Sequence, residues 1–195
     1  MEDIMDRIIG AFTFRKGVYS EVEQNAGFTS TAWLLVAIAG FLSQLGTIEA
    51  GGLEQPGRWL LRSVLGTVFV LISFAVGAAI VGWVGRAVFK AQVTFDELVR
   101  TLGLAYVWNG VGVLGVLGAV STTLSCVVAP ARLAAALLGL VAWFVAAKEA
   151  LDLDWVQVVV TVVLAFIAGL AITFLAGLVF AALGLGAATV GGLFS

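Results

Sequence analysis

The sequence predicts an all-α, polytopic membrane helix bundle: five transmembrane helices preceded by a short N-terminal amphipathic helix. Three observations carry this expectation. Of 195 residues, 62% are apolar and only 11% are charged, against about 45–50% and about 25% in an average soluble domain. A compact domain of this size leaves much of its surface wet, so such an excess must face something other than water. The charges are also clustered: stretches free of them cover 24–48, 63–85, 101–131, 133–147 and 155–195, or 25, 23, 31, 15 and 41 residues. A helix rises about 1.5 Å per residue, so about 20 apolar residues cross a hydrocarbon core about 30 Å thick. Finally, stretches such as Val158–Phe180 are continuously apolar, without the in–out alternation of a barrel with a wet lumen.

Residues 1–28 read as a cytoplasmic or interfacial segment, and 29–195 as the transmembrane bundle. The acidic start, Met1 to Asp6, is not closely followed by an apolar stretch and does not resemble a cleaved secretion signal. Ile4, Met5, Ile8, Ile9 and Phe12 share one helical face, opposite Asp3, Asp6 and Arg7. Such a stripe suits a helix lying in the interface and equally one packed against the bundle. Ser20 and Glu23 have capping-box spacing, which predicts a further short helix before the membrane.

The spans are expected at about 29–48, 59–84, 98–120, 131–147 and 155–183. Trp33 is assigned to the headgroup level of the first, and Trp59 and Trp83 mark the two ends of the second. Glu49 to Arg58, with Gly51, Gly52 and Pro56, is read as a turn. Thr94 and Glu97 form a second capping box that starts the helix entering span three. Ser121 to Thr123 and Pro130 are read as a break, because proline lacks an amide donor and is tolerated best at a helix start. Span four then begins at Ala131, and Arg132 lies close enough to its end to snorkel to the headgroups. Asp154 is the expected cap of span five. Its apolar stretch is too long for one crossing, so the helix should end near Gly184–Gly186, with the remainder returning as a short interfacial piece or fraying.

With five helices and the N-terminus inside, seven basic residues (Arg7, Arg15, Lys16, Arg86, Lys90, Arg100, Lys148) fall inside and three (Arg58, Arg62, Arg132) outside. This asymmetry predicts a cytoplasmic N-terminus and an outside C-terminus.

Composition removes most chemistry. Histidine is absent and Cys126 is the single cysteine, which excludes His-ligated zinc or haem, Ser-His-Asp and Cys-His catalysis, and an intrachain disulfide. The loops hold no phosphate-binding loop, nucleophile elbow or paired-carboxylate site. The expectation is therefore no catalytic residue, no metal and no cofactor. A formal charge of −2 gives no reason to expect nucleic acid.

Three groups of residues are candidates for function. Arg86, Lys90, Asp96, Glu97 and Arg100 form the longest charged interruption and are the candidate cytoplasmic contact surface, for anionic headgroups or for a protein partner. Gln44, Ser73 and Asn109 are polar positions inside the spans, where transport function is sought first. No carboxylate lies deep in any span, which argues against a proton- or sodium-coupled carrier. Ala165, Gly169, Thr173, Gly177 and Ala181 make a seam of small residues at every fourth position. It allows close approach of a second helix, for which intramolecular packing is favoured over homo-oligomerisation. Gly112, Gly115 and Gly118 likewise read as packing positions.

The order of elements is similar to that of the Yip1 family, on three stretches: Phe14-Arg-Lys-Gly-Val-Tyr19, Val93-Thr-Phe-Asp-Glu-Leu-Val-Arg-Thr-Leu-Gly-Leu-Ala-Tyr106, and Lys148-Glu-Ala-Leu-Asp-Leu-Asp-Trp-Val-Gln157. The chain departs from the family in reading Tyr106-Val-Trp-Asn109, where a proline usually follows the tyrosine, and in having no long cytoplasmic N-terminal region. The resemblance implies a non-enzymatic protein that organises membranes or binds partners, in the plasma membrane of a prokaryote. The alternative, from a different class, is a passive channel or small-solute transporter. A pore would gather Gln44, Ser73 and Asn109 around one water-filled cavity, whereas a scaffold would bury each with local partners.

Overall fold

The structure, a computed structural model, describes residues 2–48 and 52–183. Its helices are α1 (Glu2–Phe12), α2 (Val18–Glu23), α3 (Phe28–Leu45), α4 (Pro56–Phe89), α5 (Phe95–Ala105), α6 (Gly115–Val120), α7 (Thr122–Leu151) and α8 (Trp155–Ala182). A nine-residue 3₁₀ segment, Tyr106–Leu114, joins α5 to α6. Among the described residues, five helices are long and apolar enough to cross a membrane: α3, α4, the α5–α6 run, α7 and α8. The chain is thus an all-α bundle built as a multi-pass membrane protein. The expected end of the fifth span at Gly184–Gly186 and the fate of the tail fall outside the described residues, as do Glu49 to Gly51.

The third span is the hub. Leu98 to Ala105 are all buried, enclosed by α2, α3, α4 and α7. Lipid is as apolar as leucine, so burial of hydrocarbon does not hold the spans together; close packing and polar contacts must. Phe74 is the centre of an edge-on aromatic cluster, with ring centroids 5.4 Å from Trp33, 5.6 Å from Tyr106 and 6.3 Å from Trp143. Pairs of this kind are each worth about 0.5–1.5 kcal/mol beyond their area. Trp33, expected at the headgroup level, is half-buried and packs on the edge of Phe74. Glycine provides the other contacts: Gly112 lies on Ser43, Gly115 on the carbonyl of Gly46, and Gly118 on Ser125.

Local chemistry sets the helix ends. The Thr94 amide donates to Glu97 Oε2 at 2.6 Å and the Glu97 amide to Thr94 Oγ1 at 3.3 Å, closing the capping box that opens α5. Asp154 precedes α8, its amide donating to Gln157 Oε1 at 3.3 Å. The Trp59 indole donates to the Leu45 carbonyl at 3.1 Å, satisfying one of the free acceptors at the end of α3. Several expected boundaries move: α4 runs from Pro56 to Phe89 rather than over 59–84, and α7 ends at Leu151 rather than at 147. Ser20 lies inside α2, because Gly17 at φ 83° turns the chain earlier. Pro130 lies inside α7, and the break falls at Ser121, which is fully extended; span four is therefore longer than 131–147. An internal proline frees one carbonyl, a loss that packed membrane helices tolerate.

The N-terminal helices wrap one end of the bundle. Arg15 bridges Asp6 at 2.7 Å and Glu21 at 2.8 Å, tying α1 to α2. Ala11 is buried, and Phe12 stacks edge-on against Trp108 at 4.8 Å. Ile4, Met5 and Ile9 remain outward-facing. The amphipathic stripe is thus divided: Ile8 and Phe12 join the bundle, and the rest faces out.

Candidate functional site

Inside the membrane part, a cavity of about 550 Å³ lies between α4, the 3₁₀ segment, α7 and α8. Its walls are mostly apolar, with Phe74, Leu140, Trp143 and Phe166 prominent, and its polar groups are Ser73, Tyr106, Asn109 and Thr173. A second cavity, of about 150 Å³, adjoins it between α4 and α8, lined by Gln44, Phe69 and Phe180 among others. Ser73, Tyr106 and Thr173 line both.

The 3₁₀ segment explains how two of these polar groups come together. Side chains at i and i+3 eclipse in a 3₁₀ helix, so Tyr106 and Asn109 fall one above the other, and Asn109 Nδ2 donates to the Tyr106 carbonyl at 3.3 Å. A run this long is uncommon in proteins and marks strain or a functional bend. Here it coincides with the close approach of α3: a Cβ on Gly112 would stand 2.9 Å from Ser43 Oγ, and one on Gly46 would strike the Gly112 carbonyl. The spacing of Gly112, Gly115 and Gly118 in the sequence signals the close approach, but nothing in it signals the 3₁₀ winding.

The three intramembrane polar positions are distributed over both cavities. Ser73 and Asn109 share the larger, Gln44 and Ser73 the smaller, and the Gln44 side chain lies against Gly66. The small-residue seam runs beside them: Ala165, Gly169 and Thr173 line the larger cavity, and a Cβ on Gly169 would stand 3.3 Å from Ser73 Oγ. Thr173 donates to the Gly169 carbonyl at 3.0 Å, Gly177 is buried, and Ala181 is outward-facing. The upper part of the seam therefore faces α4 and the cavity, where small side chains leave the space open.

The charged group does not form one accessible patch. Arg86, Lys90 and Asp96 are exposed, with Arg86 Nη1 donating to the Val93 carbonyl at 3.0 Å and Lys90 ending α4 in the left-handed conformation. Glu97 is engaged in its capping box. Arg100, expected on the contact surface, is buried: its Nε donates to the Glu23 carbonyl at 2.9 Å and Nη1 to Thr29 Oγ1 at 3.1 Å. An arginine at the entry of the central span can satisfy its donors only inward, which removes it from any outside partner.

At this end Glu23 is partly buried near Glu97, Glu149 and Asp152, and its carboxyl is pushed above the usual range by desolvation first and those carboxylates second, against the pull of Arg100. Burial likewise raises the Tyr19 phenol, whose hydroxyl has no hydrogen-bond partner among the described residues. No group of acidic or cysteine side chains among the described residues is arranged to hold a metal ion. No family model matches the chain, and no curated protein sequence or solved structure matches it.

Proposed function

We propose that the chain is a non-enzymatic membrane-organising protein whose principal partner is lipid, held in the cavity between α7 and α8. The observation that carries this reading is the cavity itself: about 550 Å³, within the range of about 300–1,000 Å³ of small-molecule sites, with apolar walls and few polar groups. That lining suits an acyl chain bearing a weakly polar group. Membership of the Yip1 type is part of the proposal, supported by five spans behind an amphipathic N-terminal segment and by a capped polar approach to the third span. A cytoplasmic N-terminus in a prokaryotic plasma membrane is supported by the basic residues on α1, the end of α4, the start of α5 and the end of α7.

The test is crosslinking with a photoactivatable fatty-acyl phospholipid in nanodiscs. Crosslinks should concentrate on residues 135–143 and 165–173, and Ala136→Trp, which fills the cavity, should reduce them severalfold. Crosslinks confined to outward positions such as Val156 and Val159, indifferent to Ala136→Trp, would overturn the reading.

One observation favours a second reading, a passive solute path: the two cavities share Ser73, Tyr106 and Thr173, so Gln44 and Asn109 lie along one polar track. Solute flux in proteoliposomes that falls in Asn109→Leu would support it, and absence of flux in both proteins would remove it.

A further inference from the structure

A third cavity, of about 430 Å³, lies at the opposite end of the bundle from α1 and α2, between the end of α3, α6 and the first turns of α7. Its walls include Gly46, Gly115, Gly118, Ser121, Ser125 and Arg132. Arg132 stands ten residues into α7, about 15 Å along the axis from its start, and its side chain turns inward rather than out to lipid. A Cβ on Gly115 would come within 2.9 Å of Arg132 Nη1, so the guanidinium lies over the bare backbone of α6. Ser125 donates to the Gly118 carbonyl at 2.9 Å, so its proton is already engaged. None of the ion pairs among the described residues involves Arg132.

Arg132 is level with the end of α3 at Gly46 and has no carboxylate partner among the described residues; a guanidinium turned into a membrane bundle in this way lies where a partner or water reaches it. Its planar set of donors matches a phosphate in bidentate fashion. The glycines let the walls approach closely beside it: a Cβ on Gly46 would meet the backbone of Gly112, one on Gly115 the carbonyl of Gly46, and one on Gly118 the Ser125 hydroxyl. We propose that this cavity binds a phosphate group, with Arg132 as its charge partner and Ser121 as a hydroxyl donor. The site is independent of the lipid cavity between α7 and α8.

Native mass spectrometry of the full chain tests it, with phosphatidylglycerol or diacylglycerol of identical chains offered in detergent. The parent should retain phosphatidylglycerol at least fivefold over diacylglycerol. Arg132→Gln should lose that preference, and so should Ala129→Trp, which keeps the charge and obstructs the cavity, while Ala171→Trp on the outward face of α8 keeps it. Inorganic phosphate that displaces the lipid would identify free phosphate as the source; failure to displace it would identify the headgroup. A parent without preference overturns the proposal, as does a folded Arg132→Gln or Ala129→Trp that behaves like the parent.

Discussion

The Arg100 guanidinium reaches across 77 positions of sequence to hold the Glu23 carbonyl at 2.9 Å, and its other arm holds Thr29 Oγ1 at 3.1 Å. One buried side chain thus fastens the N-terminal helices to the central span. Hydrogen bonds from a charged donor are worth about 1.5–3 kcal/mol, and both acceptors here are half-buried. Arg100→Gln should therefore cost about 2 kcal/mol in detergent unfolding and make the link between α2 and α3 sensitive to protease. An unchanged cleavage pattern would show that the N-terminal helices are held by their apolar contacts alone.

Gly46 and Gly57 make an internal comparison. A Cβ on Gly46 would meet the Gly112 carbonyl, which belongs to backbone and cannot rotate away, whereas a Cβ on Gly57 meets nothing within 4 Å. Gly46→Ala should lower stability by about 2–3 kcal/mol through overpacking. Gly57→Ala should be neutral or stabilising by about 0.5 kcal/mol, by restricting the unfolded chain. Thermal unfolding of the two variants side by side checks both signs.

Glu23 predicts a pH dependence. Its folded pKa is raised above the ordinary 4.5 by burial and by Glu97 and Glu149, so the folded state holds the proton more tightly than the unfolded one. The contribution to stability is fully present below 4.5 and is lost as pH rises through the folded value. Glu23→Gln should accordingly raise the midpoint at pH 7.5 by about 1–2 °C, and the gain should vanish below pH 4.5. A gain that persists in acid would assign the effect to something other than ionisation.

The legible parts of the fold were those with a local cause. Charge-free stretches long enough to cross hydrocarbon located the spans, and Thr94 with Glu97 located the start of α5, because a capping box is closed by residues three apart. What escaped the sequence depends on distant partners. Trp33 reads as an interfacial anchor, and its packing on the ring of Phe74 from another helix has no local signal. Arg100 resembles its exposed neighbour Lys90 in sequence, but its partners lie on α2 and α3. Of the residues read as a break, Ser121 leaves the helix as expected, whereas Pro130 stays inside α7. Of the cavity residues, Ser73 and Asn109 stand out in the sequence as polar groups in apolar stretches, whereas Tyr106 ends the family-like stretch and Thr173 belongs to the small-residue seam. Their convergence depends on the 3₁₀ winding of Tyr106–Leu114, which no short-range pattern announces.

The account rests on outward-facing apolar side chains meeting lipid. Single spin labels at Ile167, Leu170 and Phe174 of α8, all more than half exposed, and at the exposed Lys90, each in a Cys126→Ser background in nanodiscs, test it most directly. Labels on α8 should collide with dissolved oxygen and be shielded from a water-soluble nickel chelate, with the reverse at Lys90. Ready collision of the chelate with all three α8 positions would contradict a membrane-spanning bundle.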